Sequence, residues 1–291
     1  MRNEKKNGPI LEVMLFTDPY CSWCWASEPM FLALAEKYRD QLHFVYVFGG
    51  LVKDMDDFND ADHGITGAPD VLPHWQEVSE YSGQPIDGSI WLEIAEIRHF
   101  SSWPANIACK AAFLQGEEIG ERYLRKMRQS VLTDRKIISL EEVYLSIAQE
   151  IEGLDITRLK SDLDSGEAKK AFEEDLRKGT RWGAEVFPTL LFYRSDADMD
   201  HLSLDDAAMI GGHHSTRTYD RIIQRLAPEI RAYEARDEKE LIASYGPLTE
   251  RELGEIKGRT KEEQYRVMQE LERQGAVQKI VKVRGNLWDL R

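Results

Sequence analysis

The stretch "DPYCSWCWASEP" sets two cysteines, Cys21 and Cys24, three positions apart just after a hydrophobic run. Two thiols at that spacing can form and break a disulfide, or supply half of a zinc site. For redox chemistry the first sulfur belongs at a helix N-terminus, where free amides and the helix dipole favour thiolate over thiol. Cys21 is expected there, and Cys24, one turn further on, can reach it to resolve a mixed disulfide. Trp23 and Trp25 read as exposed aromatic area beside the sulfurs. Zinc asks for four ligands, and no second Cys-x-x-Cys or suitably spaced His pair accompanies these two, so no metal is expected. His213 and His214, after a strand and a Gly-Gly pair, read as loop residues. Cys109, in "ANIACKAAF", reads as a buried structural thiol.

A second chemical element is "EVFPTLLFY", where Phe187 and Pro188 lead into a strand. A cis bond there would hold the Phe187 backbone open beside the thiols, to pair with an extended peptide. Trp23, Phe187 and Pro188 are therefore peptide-groove candidates around the redox-active candidate pair Cys21 and Cys24.

These residues need elements to position them. "LEVMLFTD" reads as a buried strand closed by the Asp18-Pro19 turn, followed by a helix from about Cys21 to Tyr38 whose apolar face carries Trp25, Phe31, Leu32, Leu34, Ala35 and Tyr38. "LHFVYVFGG" is a second strand stopped by glycines, and strand–helix–strand at this spacing is a right-handed βαβ unit with parallel strands. From about residue 60 to 181 amphipathic helices dominate, as in "ERYLRKMRQSVL" and "SLEEVYLSIAQEI". Strand character returns in "PTLLFYR" and "AAMIGG", before a helix over "STRTYDRIIQRL". The sheet is thus split around a helical insertion.

After Pro228, "EIRAYEARDEKELIASYGPL" reads as a charged helix running into Gly246-Pro247. Two Thr-x-x-Glu helix starts follow, Thr249 with Glu252 and Thr260 with Glu263. The second helix carries Tyr265, Met268 and Leu271 on one face and stops at Gly275; "VQKIVKVRGNLWDL" then reads as a hairpin around Arg284-Gly285-Asn286. Helix, helix, hairpin is the plan of a winged helix.

At 291 residues the chain has room for one large domain and a small one. With 42% hydrophobic and 31% charged residues it reads as a soluble globular protein. A net charge of −14 argues against non-specific attraction to nucleic acid or anionic membranes and suits a basic or neutral protein partner. The segment "TKEEQYRVMQELERQG" mixes both signs and offers no phosphate-binding stripe, so protein contact is expected of it and no nucleic acid. No apolar run reaches the ~18 residues of a membrane span. The start "MRNEKKNGPI" passes into the first strand without a leader, so a cytoplasmic protein is expected, and three cysteines are too few for a disulfide-stapled secreted domain.

The opening strand, the Cys-x-x-Cys helix and the Pro188 strand together resemble the thioredoxin superfamily. The large insertion narrows this to the DsbA-like branch, and "DPYCSWCW" is similar to its FrnE-like subgroup, with Ser22 where proline is more usual. With the tail segments "GPLTERELGEI" and "VQKIVKVRGNLWDL", the stretches "FTDPYCSWCWASEP" and "VFPTLLFY" resemble the YjbH/SpxH family over essentially the full length. That resemblance implies an α/β fold: a thioredoxin-like DsbA-type domain over residues 1–228, with the helical insertion at about 60–181, and a small winged-helix-like domain over 229–291. It implies an adapter that binds the transcriptional regulator Spx and promotes its degradation by the ClpXP protease, with no catalytic residue and no cofactor. It also implies a link to thiol stress, for which Cys21 and Cys24 would be a sensor pair whose oxidation weakens delivery. Some relatives carry a His- and Cys-rich N-terminal stretch suited to zinc, where this chain has "MRNEKKNG". A second class is a cytosolic thiol–disulfide oxidoreductase of the DsbA/FrnE type, with Cys21 as nucleophile, Cys24 as resolving thiol and Pro188 positioning the substrate. A glutathione-using isomerase or transferase of the same branch is a third, and the intact cysteine pair counts against it.

Overall fold

The run "LEVMLFT" forms β1 (Leu11–Thr17), an interior strand of a four-stranded sheet, buried on both faces. Successive side chains of a strand point to opposite faces, so Leu11, Val13 and Leu15 join one apolar cluster while Met14 and Phe16 join another. α1 (Ser22–Tyr38) crosses to β2 (Leu42–Phe48), which pairs parallel with β1. This computed structural model describes residues 8–203 and 205–291. Residues 1–7, on which the expectations of no leader and no zinc-binding stretch rest, lie outside the described residues.

α2 (Ala68–Ser82), α3 (Ile90–Ile94), α4 (Trp103–Phe113), α5 (Glu117–Asp134), α6 (Glu141–Ala148), α7 (Ile156–Asp164) and α8 (Glu167–Trp182) follow β2 and enclose a core that includes Trp25, Trp75, Trp91 and Tyr123. β3 (Thr189–Arg194) and β4 (Ala207–Gly211) complete the sheet in the order β2–β1–β3–β4, each antiparallel to its inner neighbour. α9 (Thr216–Leu226) covers the face bearing Phe192.

The chain ends in α10 (Glu238–Tyr245), β5 (Leu248–Thr249), α11 (Glu250–Lys257), α12 (Lys261–Arg273) and the hairpin β6 (Val277–Lys282) with β7 (Gly285–Leu290), the strands ordered β5–β7–β6. Both Thr-x-x-Glu segments form reciprocal capping boxes, and Asp237 with Glu240 forms a third at the start of α10. Trp288 is fully buried among Leu241, Leu253 and Met268, and Leu32 of α1 belongs to the same cluster. α1 thus serves three cores, with Trp25 among the inserted helices, Met30 and Leu34 against the sheet and Leu32 toward α11.

Inside α1, Pro29 has no N–H to give the carbonyl of Trp25 four residues back. Gln84, after α2, supplies the missing donor: its Nε2 reaches that carbonyl at 3.3 Å and Glu252 Oε1 at 3.2 Å, while its Oε1 accepts the Thr249 hydroxyl at 2.6 Å. A buried carbonyl left bare by proline is satisfied by tertiary structure.

The charged helix expected throughout "EIRAYEARDEKELIASYGPL" is confined to Glu238–Tyr245. The stretch before it lies along the end of α1: the Tyr233 amide donates to the Lys37 carbonyl at 2.8 Å, and the Arg236 guanidinium grips the Glu36 carboxylate, 2.7 Å at its nearest. Helix propensities differ by tenths of a kcal/mol per residue, so a few such anchors decide the conformation. Glu36 is 1% exposed. Burial opposes its ionisation, yet hydrogen bonds from Arg236 and Arg39 hold its pKa down at about 2. A depressed carboxylate contributes stability that is complete above its ordinary pKa and is lost as pH falls toward the folded value. Stability should therefore drop between about pH 4.5 and 2, by up to about 3 kcal/mol from this group. Urea midpoints across that range check it: Glu36→Gln should flatten the slope, and an unchanged slope removes Glu36 from the acid response.

Candidate functional site

Cys21 is the N-cap of α1, with extended backbone at φ −72° and ψ 109° and its sulfur accepting the Cys24 amide at 3.1 Å. Its thiol donates to the Phe187 carbonyl at 3.6 Å, so residues 166 positions apart meet at the helix start. The Phe187–Pro188 bond is cis. The Phe187 ring lies over Gly49, where a Cβ would come within 1.9 Å of it; this glycine is the space the ring occupies.

Trp23 is partly exposed and packs against Tyr81 at 5.5 Å, His213 at 5.6 Å and His74 at 6.3 Å between ring centroids. Beside this aromatic patch a cleft of about 580 Å³ opens onto Cys21, Trp23 and Phe187, with Asp60 and Glu185 on its walls. Trp25 is not part of the mouth. Two residues along a helix is a turn of about 200°, so Trp25 points away from Trp23, fully buried, with its Nε1 donating to the Pro85 carbonyl at 3.1 Å.

The two sulfurs titrate as a pair, and their surroundings act on them in opposite directions. Burial pushes the Cys21 thiol well up, and the adjacent Cys24 sulfur and Asp18 add to it, outweighing the Cys24 amide that the helix start provides. Burial resists ionisation of Cys24 as well, but the Cys21 thiol, the Arg128 guanidinium and the Thr17 hydroxyl overcome it and bring Cys24 below the usual thiol value. Cys21 lines the cleft at 4% exposure, and Cys24 is fully buried beneath it. Cys109 is buried too, and burial pushes its thiol up.

Residues that the sequence reading passed over hold this arrangement. Asp18, read only as part of a turn, is fully buried and accepts from the amides of Tyr20 and Leu51 at 2.8 and 2.7 Å, the Ser102 hydroxyl at 2.9 Å and Asn106 at 2.8 Å. It ties the loop before Cys21 to the loop after β2 and to α4. Arg128, on the inner face of α5, bonds the Thr17 hydroxyl and Glu28, the latter at 2.8 Å. Glu28 was the available signal, since a lone acid within the apolar run of α1 needs a buried cation. His213 bonds Ser27 at 2.9 Å and so lies in the site as well as in a loop. Asp54, Asp56 and His99 converge at the surface, but His99 already pairs with both carboxylates, at 3.0 and 3.3 Å.

No helix among the described residues is long and apolar enough to cross a membrane. A family model described as Thioredoxin matches residues 14–211. The chain is 30% identical to the ClpXP adapter protein SpxH of Halalkalibacterium halodurans over 77% of its own length and 69% of that protein. It is 25% identical to the protein of the same name in Shouchella clausii over 96% of its length and 88% of that protein, so the likeness extends into the C-terminal elements. Among solved structures, the cytosolic disulfide reductase DsbM of Pseudomonas aeruginosa superposes with a TM-score of 0.52 at 19% identity, covering 74% of this chain and 93% of that one, a likeness of fold. With a thioredoxin model matching well over half of its length, and a 30% identical relative covered over more than two thirds, the chain belongs to the thioredoxin family, in its SpxH branch.

Proposed function

We propose that this protein is a cytoplasmic adapter rather than an enzyme: it binds the transcriptional regulator Spx and promotes its degradation by ClpXP. The observation that carries the reading is that proteins named as ClpXP adapters align over 96% of the chain, including the C-terminal elements that a bare disulfide oxidoreductase has no need of. In this reading residues 1–228 are a DsbA-like binding scaffold and 229–291 a winged-helix-like unit. The patch of Trp23, Tyr81 and His213 with the cleft lined by Phe187 grips the substrate, while Pro188 is buried behind it, and Glu185 on the wall favours a basic group.

Degradation of purified Spx by ClpXP, followed over time, tests this. Acceleration by the native chain and equally by Cys21→Ala/Cys24→Ala supports an adapter whose cysteines are not needed for delivery. No acceleration by either form sinks the reading. The second reading, a thiol–disulfide oxidoreductase, is favoured by the Cys21–Cys24 geometry and the adjoining cleft; insulin reduction by dithiothreitol, catalysed by the native chain and abolished by Cys21→Ala, would establish it.

A further inference from the structure

On the C-terminal unit a second cavity, of about 410 Å³, opens between α12 and the hairpin, with Glu250 and Asn286 in its wall. Glu250 is the first residue of α11, where the free amides of the helix start favour a negative charge. Its side chain is 2% exposed, and α11 is fixed close by, with Arg125 of α5 holding Glu252 at 2.9 Å. One carboxylate oxygen of Glu250, Oε1, accepts from both the Asn286 amide at 2.7 Å and the Trp288 indole at 3.0 Å. The other, Oε2, accepts nothing, and no lysine or arginine pairs with Glu250 among the described residues. A buried carboxylate without a cation is costly to maintain. Asn286 spends its nitrogen on Glu250, which leaves its Oδ1 as a second free acceptor.

The rest of the cavity does not answer that charge. Lys261 is turned to the Gly83 carbonyl, at 2.9 Å. Lys279 rests against the Tyr265 and Trp288 rings, at 5.9 and 6.0 Å from their centroids, without pairing with the carboxylate. Arg266 stands one helical turn after Glu262, both exposed, so the rim is balanced and the floor is not. Val281 lies directly opposite Asn286 in the hairpin, on the same face, and is 72% exposed, an apolar step beside the cavity.

We propose that this cavity receives an arginine side chain of a partner protein, its guanidinium donating to Glu250 Oε2 and Asn286 Oδ1 while an apolar neighbour of that arginine rests on Val281. A guanidinium carries its donors in a planar fork suited to two adjacent acceptors, and it is less strongly hydrated than an ammonium. The exposed valine favours a polypeptide over a free amino acid, which has no apolar neighbour to place there. The inference stands apart from the adapter reading.

The test titrates the full chain with acetyl-Arg-Leu-amide and follows the Trp288 indole N–H by NMR, since that group is bonded to the same carboxylate. The resonance should shift and saturate at about millimolar probe, and acetyl-Lys-Leu-amide should bind about 10-fold more weakly. Glu250→Gln keeps an oxygen for Trp288 and Asn286 but replaces the free one with an amide, and should weaken arginine binding by about 10-fold or more. If that substitution unfolds the C-terminal unit, Gln269→Lys decides: it adds a cation at an exposed position on the rim and should weaken binding by about 3-fold. Absence of a saturable shift, equal affinity for the lysine probe, or unchanged affinity in the folded variants overturns the proposal. Free arginine binding as tightly as the dipeptide, with no loss in Val281→Ser, would make this an amino-acid site and overturn the partner.

Discussion

Arg128→Ala should destabilise the folded chain by about 3–5 kcal/mol, because removing one partner of a buried ion pair strands the other charge. Glu28, 7% exposed, would be left with Arg125 at 3.5 Å as its nearest cation, and the Thr17 hydroxyl would lose its donor. Stabilities of natural domains run to about 5–15 kcal/mol, so this is a large fraction. Urea unfolding measures it, and a loss below about 1 kcal/mol would mean that water or rearrangement serves Glu28. The double change Arg128→Met with Glu28→Leu should recover much of the loss, since apolar residues of similar volume often replace a buried ion pair at little cost. Recovery would separate the burden of an unpaired charge from the loss of packing.

Trp288→Ala should have a comparable effect, about 3–5 kcal/mol for truncating a buried aromatic side chain, but a different distribution. Trp288 is fully buried at the centre of the α10–β7 core, and its Nε1 donates to Glu250 at 3.0 Å. The expected outcome is a separate, earlier unfolding step for residues 229–291, seen as lost amide protection over α11, α12 and the hairpin while the four-stranded sheet stays protected. A single cooperative transition for the whole chain would instead show that the shared helix α1 and the Arg125–Glu252 clamp make one folding unit, and the division at residue 228 would carry no thermodynamic meaning.

The parts of the fold legible in the sequence are those coded by local pattern. β1 and β2 are short, largely apolar runs, and the capping boxes at Thr249 and Thr260 are four-residue signals whose hydrogen bonds close within the motif. The long-range polar anchors were not legible. Arg125 and Arg128 look like the solvated face of an amphipathic helix, because arginine is seldom buried unless paired, and their partners lie about a hundred positions away on other elements. The same holds for Arg236, whose bond to Glu36 overrides helix formation in the stretch before α10. At the site, spacing placed Cys21 at the helix start, but the buried Arg128 that favours charge on the Cys24 sulfur comes from α5, a tertiary fact. Periodicity placed Trp25 on the apolar face of α1; reading it also as exposed beside the sulfurs conflicted with that pattern, and the pattern was the sounder guide.

The single amide of Gln84 joins three segments, and its hydrogen inventory leaves it one orientation. The nitrogen must face Trp25 and Glu252, both of which only accept, and the oxygen must face the Thr249 hydroxyl. No isostere reproduces this. Glutamate would set a second anion against Glu252 and offer the Trp25 carbonyl no proton; methionine would fill the volume and leave that carbonyl bare. The proline in α1 thus imposes a requirement on a residue fifty-five positions away: having removed a donor from its own helix, it dictates not only that an amide stand at position 84 but which way round it must be held.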